Sequence, residues 1–387
     1  MNPDPTTSPS FWQQIPQPMI GLAPMDGVTD SAFRHIVALH GKPDLTFTEF
    51  TNVHDICSGR LKALDSLCYS EIQRPVIAQI YGKDPALFYQ AAHVVCELGF
   101  DGLDINMGCP SKNVASSGSG AGLIRTPTLA LELMTMAQKG IQDWAAGQTL
   151  AQAGLKTKAL EAIAQLHHNH AVPRIRKPIP LSVKTRIGYD RNMIDDWSAC
   201  LIQGKPAVIS IHGRTLSQMY KGQSDWETIA RAASLIQPHR ILVLGNGDIR
   251  NLGEAATRIR ESGVNGVLIG RGSLGNPWVF RGISHLRESL GIGTSYWESS
   301  YSPSLEETFK IMVEHASLFE QIHGSERFVR MRKHLGWYCS GFPHAAAMRA
   351  QLVRTHSTQD VENLITQYHT HNQQTQVTGL PTAIAAS

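Results

Sequence analysis

Leu103-Asp104-Ile105-Asn106-Met107-Gly108-Cys109-Pro110-Ser111-Lys112 is the stretch on which the reading of the fold turns. Leu103, Ile105 and Met107 alternate with Asp104, Asn106 and Gly108, so an extended backbone sends the two sets to opposite faces. Asp and Asn together on one face of an otherwise apolar strand need partners, because burying an unsatisfied polar group is costly. The pattern therefore predicts a buried strand that holds a ligand or performs chemistry and delivers Cys109 to the turn that follows it.

Similar runs recur at 19–24, 45–50, 75–81, 102–108, 181–187, 207–213, 241–246 and 266–270, separated by helical patterns. About eight strands alternating with helices predict an α/β protein, a (β/α)8 TIM barrel spanning 19–295. A doubly wound sheet is the rival, but its glycine fingerprint lies at the first turn, whereas the glycines here cluster around strands seven and eight. Gln79, Asp104, Asn106, Lys184, Arg186, Ser210 and His212 fall near the C-terminal ends of four strands, where barrels build their sites. Spacing by two puts Asp104 with Asn106, Lys184 with Arg186, and Ser210 with His212 on shared faces. A stabilising polar layer inside the barrel could use the same residues. Two cations on one strand argue instead for an anionic partner.

The 387 residues suffice for one large domain and a smaller appendix. A net charge of +3 is too mild to imply a nucleic-acid partner by itself, so one must be argued from local patches. Cys57, Cys68, Cys96, Cys109, Cys200 and Cys339 form no C-x-x-C pair and no zinc spacing. That excludes a disulfide framework, predicts no metal and fits a reducing compartment. Residues 1–18 read as an N-terminal extension without a signal-peptide pattern, and no apolar run is long enough to span a membrane, so the cytoplasm is expected. Residues 141–178 read as a helical insertion on the barrel exterior. The periodicity of Phe309, Met312, Val313 and Ala316 predicts a small helical domain over 303–370, and the Gln/Thr/Ala composition of 371–387 predicts a disordered tail.

Gly245-Asn246-Gly247-Asp248 closes strand seven and Gly270-Arg271-Gly272 closes strand eight, the two places where barrels often bind a phosphate. Two tight turns would use the same glycines, but their coincidence with both expected strands favours a phosphate site with Arg271 as its fork. A phosphate-anchored ligand would lie across the mouth towards Lys184, Gln79 and the Ala23-Pro24-Met25 turn. Flavin mononucleotide (FMN) fits that outline: Gln79 offers a donor and an acceptor to its pyrimidine edge, and Lys184 a charge to the reduced ring. His212 reads either as a further cofactor contact or as a satisfied core histidine. Cys109 as a nucleophile needs a general base and a depressed pKa. As a proton donor it needs only to remain a thiol. No base motif surrounds it, which favours the acid role.

Taken together, Ala23-Pro24-Met25-Asp26-Gly27-Val28-Thr29-Asp30, Thr48-Glu49-Phe50, the 104–112 stretch, Val183-Lys184-Thr185-Arg186, Ile211-His212-Gly213-Arg214-Thr215, Asn246-Gly247-Asp248-Ile249 and Ile269-Gly270-Arg271-Gly272 resemble the motifs of the tRNA-dihydrouridine synthase family, in family order, from about residue 20 to residue 338. The resemblance implies an FMN barrel with a C-terminal helical domain that reduces the C5–C6 bond of a tRNA uridine with NADPH. It implies FMN contacts from Ala23, Pro24, Met25, Gln79, Lys184, His212, Asn246, Gly247, Asp248, Gly270 and Arg271. It also implies Cys109 as the acid that protonates C5 and Asn106 as the residue that orients the uracil. The target base must leave its stack to reach such a pocket.

Arg327, Arg330, Arg332, Lys333 and His334 form a run without an acidic residue. Such a run alone is usually a solvated helix face; with the resemblance it reads as a set of tRNA phosphate contacts, extended by Arg174, Arg176 and Lys177. A monomer is the expected state. The 141–177 region is longer than the family connection, and Ser116-Ser117-Gly118-Ser119-Gly120 resembles one bacterial subgroup while Arg332-Lys333-His334 resembles another, which leaves the target uridine open. Two alternatives stand beside this reading. One is an FMN-dependent dehydrogenase of a free pyrimidine such as dihydroorotate; the other is a catalytically silent tRNA-binding protein, against which the intact Cys109 and Lys184 argue.

Overall fold

A computed structural model describes residues 10–167, 176–291 and 301–378, which fall into two compact units. The first holds the described residues up to Ser273 and those from Trp278 to Gly291; the second holds Leu274–Pro277 and the residues from 301 on. The first unit is a barrel of parallel strands: β1 (Met19–Leu22), β2 (Thr46–Phe47), β3 (Thr51–Asn52), β4 (Val76–Tyr81), β5 (Gly102–Met107), β6 (Leu181–Gly188), β7 (Val208–Thr215), β8 (Leu242–Asn246) and β9 (Gly266–Ile269). The order is β1-β9-β8-β7-β6-β5-β4-β2, with β3 also paired to β4, so β2 and β3 are two pieces of one stave. The remaining seam carries Leu22 N–H to Leu45 O at 3.0 Å and Asp44 N–H to Ile20 O at 2.9 Å. The expected eight-stave TIM barrel is what the chain forms.

Helices cover the outside of the strands, so both faces of each strand are buried and the apolar runs are nearly continuous. The interior near the N-terminal ends is filled by Met19, Phe47, Ile77, Val208, Leu244 and Leu268. Trp12, from the short helix Phe11–Gln14, completes this cluster with Phe11 packed beside it. Part of what reads in sequence as a mere extension, Phe11, Trp12 and Ile15, thus packs into the floor of the barrel. Residues 1–9 lie outside the described residues.

Helix Pro127–Ala145 continues past the start of the expected insertion, and a second helix, Thr157–His167, follows. The second helix buries Ala159, Ala162 and Ile163 and packs against helix Leu61–Asp65. Arg176 lies over the Trp144 ring at 5.0 Å and donates to the carbonyls of Trp144 and Gln148. That cation, read as part of an RNA patch, therefore clamps the end of the insertion. Arg174 lies outside the described residues.

The second unit contains helices Leu305–His323, Arg332–Tyr338, Ala345–Leu352 and Thr358–Thr378. The last of these corrects the expectation of a tail disordered from 371: the backbone stays helical to Thr378, with Gln373, Gln374 and Gln376 favouring extension of a helix already begun. Residues 379–387 are outside the described set. Among the described residues, no helix is long and apolar enough to cross a membrane.

Because Trp12 is 1% exposed at the meeting point of many strands, Trp12→Ala should cost about 3–5 kcal/mol. Denaturant unfolding checks this; a loss under about 1 kcal/mol would mean the floor is dispensable.

Candidate active site

The register of the barrel brings the polar strand positions into rows. Gln79, Asp104 and Ser182 are neighbours across β4, β5 and β6; Asn106, Lys184 and Ser210 form the next row towards the C-terminal end; Arg186, His212 and Asn246 form the one after. Asp104 is completely buried. Its carboxylate accepts from Ser182 Oγ at 2.6 Å and from Gln79 Nε2 at 2.8 Å. Gln79 Oε1 accepts from Asn106 Nδ2 at 2.9 Å, and Asn106 Oδ1 accepts the backbone N–H groups of Gly108 at 3.0 Å and Cys109 at 2.8 Å. A continuous hydrogen-bonded path therefore joins the interior carboxylate to the turn that carries the cysteine.

This path revises two expectations. Gln79 and Asn106 have amide groups already engaged by protein, so neither stands free to be read by a ligand alone; each amide nitrogen keeps one further hydrogen. Burial pushes the Asp104 carboxyl up to about 6, against which its two hydrogen bonds and the Lys184 charge act. Lys184 is pulled down to about 8 by burial and by Arg186. Among the described residues its ammonium has no hydrogen-bonded or ion-paired partner. Cys109 is 6% exposed, and burial raises its thiol further above the usual value, with Asp26 adding to the effect. At neutral pH it is a thiol.

The other side of the mouth is built from the ends of β7, β8 and β9 and the turn after β1. Arg214, 2% exposed, donates to Asp248 Oδ2 at 2.6 Å, while Arg271 donates to Asp248 Oδ1 at 2.7 Å. Both carboxylate oxygens of Asp248 are therefore committed to arginines, and the residue acts as a bracket that aims Arg271. Asn246 Nδ2 donates to Leu268 O at 2.8 Å and ties β8 to β9. Arg214 also donates to His212 Nε2 at 3.3 Å, and since a guanidinium only donates, the ring hydrogen sits on Nδ1. Burial and four nearby cations hold His212 neutral, well below its usual range.

Two glycines differ in what they require. Gly247 has φ +128°, and a Cβ there would lie 2.1 Å from Ser224 Oγ, so the protein itself forbids a side chain. At Gly270 a Cβ would meet Met25 Sδ at 3.4 Å and Ala23 Cβ at 3.6 Å, ordinary contacts that leave the position bare without an internal reason. Those contacts also bring Ala23 and Met25 beside the β9 turn. Thr29 pins Met25 in place, its hydroxyl accepting from Met25 N–H at 3.0 Å.

In the second unit the basic run divides. Lys333 is exposed, and Arg327 and Arg330 are half-buried on a 3-10 turn. Arg332 donates to Thr355 O at 2.7 Å and lies against His356, so its guanidinium fastens a helix junction. His334 is 1% exposed, its ring packed edge-on against His315 and held neutral mainly by burial. The expectation of His334 as an RNA contact is therefore corrected. Met331, His334, Leu335 and Tyr338 share the buried face, a spacing of three and four that the sequence itself displays. Sequence reading also leaves out Ser182 and Arg214. Ser182 shares the inward face of Lys184 by alternation, and Arg214 lies two positions beyond His212 on β7.

The sequence model of the family described as dihydrouridine synthase (Dus) matches residues 21–144 and 157–374. The gap between the two stretches is confined to 145–156, so helix Thr157–His167 falls in the matched part of the region read as an insertion. A probable tRNA-dihydrouridine synthase 2 from Bacillus subtilis (strain 168) is 32% identical over 364 residues, covering 92% of this chain and 95% of the relative. A probable tRNA-dihydrouridine synthase from Staphylococcus aureus (strain MRSA252) is 30% identical over 367 residues, covering 93% and 95%. A solved structure of DHODH in complex with ferulenol from Eimeria tenella aligns at 12% identity and a TM-score of 0.45, covering 71% of this chain and 82% of that one. With nearly its whole length matched, the chain belongs to the dihydrouridine synthase family.

Proposed function

We propose that this protein is a flavin-dependent tRNA-dihydrouridine synthase that reduces the C5–C6 bond of a tRNA uridine, with NADPH as reductant and Cys109 as proton donor. The observation that carries the reading is Cys109 itself: a buried cysteine at the C-terminal end of a barrel strand, its backbone N–H held by Asn106 and its thiol kept protonated by its surroundings. The donor set also suits FMN. Among the described residues Lys184 offers an ammonium with no acceptor and Ser210 Oγ is buried in the same row without a hydrogen-bond partner, while Gly270 leaves bare backbone beside Arg271. Gly247 and Arg271 would hold the phosphate end, with Asp248 aiming Arg271, and Ala23, Pro24 and Met25 would flank the ring.

When bound, FMN supplies the hydride that goes to C6 of the uracil. Cys109 contributes the proton: the Sγ–H bond breaks, the proton goes to C5, and the thiolate left behind is reprotonated from solvent. Departure of that proton is eased by the Ser111 backbone N–H directed at Sγ and by the charges of Arg186 and Lys184. His212, neutral with its hydrogen on Nδ1, is a donor rather than a proton source. On the second unit, Arg327, Arg330 and Lys333 remain as candidate phosphate contacts, of which Lys333 is the most exposed.

The purified protein supplied with FMN should show flavin absorption bands. Gly270→Ala should weaken FMN binding about tenfold, since an intruding methyl group costs about 1–3 kcal/mol, while the melting of the apoprotein stays near wild type. Undiminished FMN affinity in that variant would remove Gly270 from the cofactor site.

Cys109→Ala should slow reoxidation of the reduced flavin by unmodified tRNA about 10²–10⁴-fold, the usual worth of a positioned acid, and leave reduction by NADPH unchanged. Loss of the reductive half-reaction instead would overturn the donor role. Faster turnover with free uracil or orotate than with tRNA would overturn the substrate assignment.

Replacing Arg330 and Lys333 together by Ala should weaken tRNA binding and lower the salt slope by about 1 for each phosphate no longer neutralised. Titrations at several salt concentrations read this directly; an unchanged slope would place the tRNA elsewhere.

A further inference from the structure

We propose that Asp104 is a positioning residue for the proton donor: its buried carboxylate sets the direction of the amide chain that ends on the Cys109 backbone. An ionised carboxylate only accepts hydrogen bonds, so Gln79 must turn its Nε2 towards Asp104. Gln79 Oε1 is thereby aimed at Asn106, which must answer with Nδ2. Only then does Asn106 Oδ1 face the two N–H groups of Gly108 and Cys109. Were Gln79 reversed, its Nε2 would call for Asn106 Oδ1, and Asn106 Nδ2 would meet two backbone donors. Donor against donor repels, and the turn carrying Cys109 would lose its hold. Arg186 Nε grips the Gly108 carbonyl at 2.7 Å, so the peptide before Cys109 is fixed from both sides and has little freedom while the amide chain keeps its direction.

The groups that face Asp104 are few. β4 contributes Gln79, and β6 contributes Ser182 and Lys184, of which Lys184 alone is charged. Burial pushes the Asp104 carboxyl up to about 6 and pulls Lys184 down to about 8, and His212 is held neutral well below its usual range, so an acid limb between about pH 5 and 7 is the expected signature of Asp104. Protonated Asp104 becomes a donor as well as an acceptor, and the direction of the chain is no longer enforced. Removing the Ser182 hydroxyl takes away a bond that favours the ionised form, so the Asp104 pKa must rise.

The inference rests on the proposed function for its kinetic reading but not for its structural one. The FMN-loaded, full-length enzyme is reduced with dithionite and reoxidised by unmodified tRNA transcript, and the single-turnover rate is followed from about pH 5 to 8. The wild-type rate should fall below about pH 6, and in Ser182→Ala the fall should begin at higher pH. In Asp104→Asn the rate at about pH 7.5 should be at least tenfold lower, with the tRNA concentration for half-maximal rate unchanged and the acid limb gone. Separately, alkylation of Cys109 by iodoacetamide, read by mass spectrometry of its peptide at about pH 7.5, should be several-fold faster in Asp104→Asn. Asp104 reaches the Cys109 thiol only through Lys184, whose charge it supports; losing that support raises the thiol and slows alkylation, so a faster reaction reports a released turn. A Ser182→Ala limb that does not move, or wild-type alkylation in a folded Asp104→Asn, overturns the proposal. If tRNA fails to reoxidise the wild-type flavin, the functional reading falls while the alkylation result still decides the role of Asp104.

Discussion

A carboxylate shut away from water in the middle of the barrel is the constraint around which this site is arranged. Asp104 holds a charge where solvent cannot reach it, and the fold bears the cost. With its folded-state pKa near 6 against an ordinary 3.8, the folded protein binds the proton more tightly than the unfolded chain. Its contribution to stability is therefore greatest below about pH 4 and declines as the pH rises through 6, by roughly 3 kcal/mol in all. A neutral or apolar layer would avoid this loss. What the charge provides is polarity: a fixed assignment of donors and acceptors that propagates outwards through Gln79 and Asn106 and stops at a cysteine.

Buried cations organise irregular backbone around the barrel in a comparable way. Arg34, Arg186 and Arg214 are buried, and each reaches backbone carbonyls: Thr29 and Cys68 for the first, Gly108, Thr215 and Met219 for the second, Lys221 and Gly222 for the third. A guanidinium has five donors in a rigid fork, which suits it to gathering carbonyls that irregular backbone leaves unpaired. These arginines convert exposed loops into fixed walls without adding strands or helices. Arg214 does so while also bracketing Asp248, so the loop after β7 and the turn after β8 share one anchor.

Much of this is legible in the sequence because the barrel obeys alternation. The pairing of Asp104 with Asn106 and of Lys184 with Arg186 on shared faces follows from a period of two, and the strand ends then converge. What alternation cannot reveal is whether a polar side chain faces a ligand or another side chain. Gln79 has the right chemistry for a pyrimidine edge and equally for an amide relay, and only the register of β4 against β5 shows that Asp104 and Asn106 occupy it first. His334 misleads for a different reason: charge composition speaks for an exposed run, while the periodicity of Met331, Leu335 and Tyr338 marks the inward face on which it lies. Trp12 is easily missed because four helical residues leave too faint a pattern to separate from a polar terminus.

The closing of the barrel also has a consequence for how the chain comes into being. β1 pairs with β9, the last stave, and Trp12 is packed by residues from strands in both halves of the sequence. As the chain leaves the ribosome, β1 lacks that neighbour until Ile269 has been made, and Trp12 has no complete floor to fill. The first strand and the indole must therefore wait, apolar and uncovered, through most of translation, and closure comes late because it joins the most distant parts of the unit. The nascent barrel is an open sheet with two unpaired edges. Its greatest exposure to aggregation lies in that interval, and a chain cut short before β9 would never leave it.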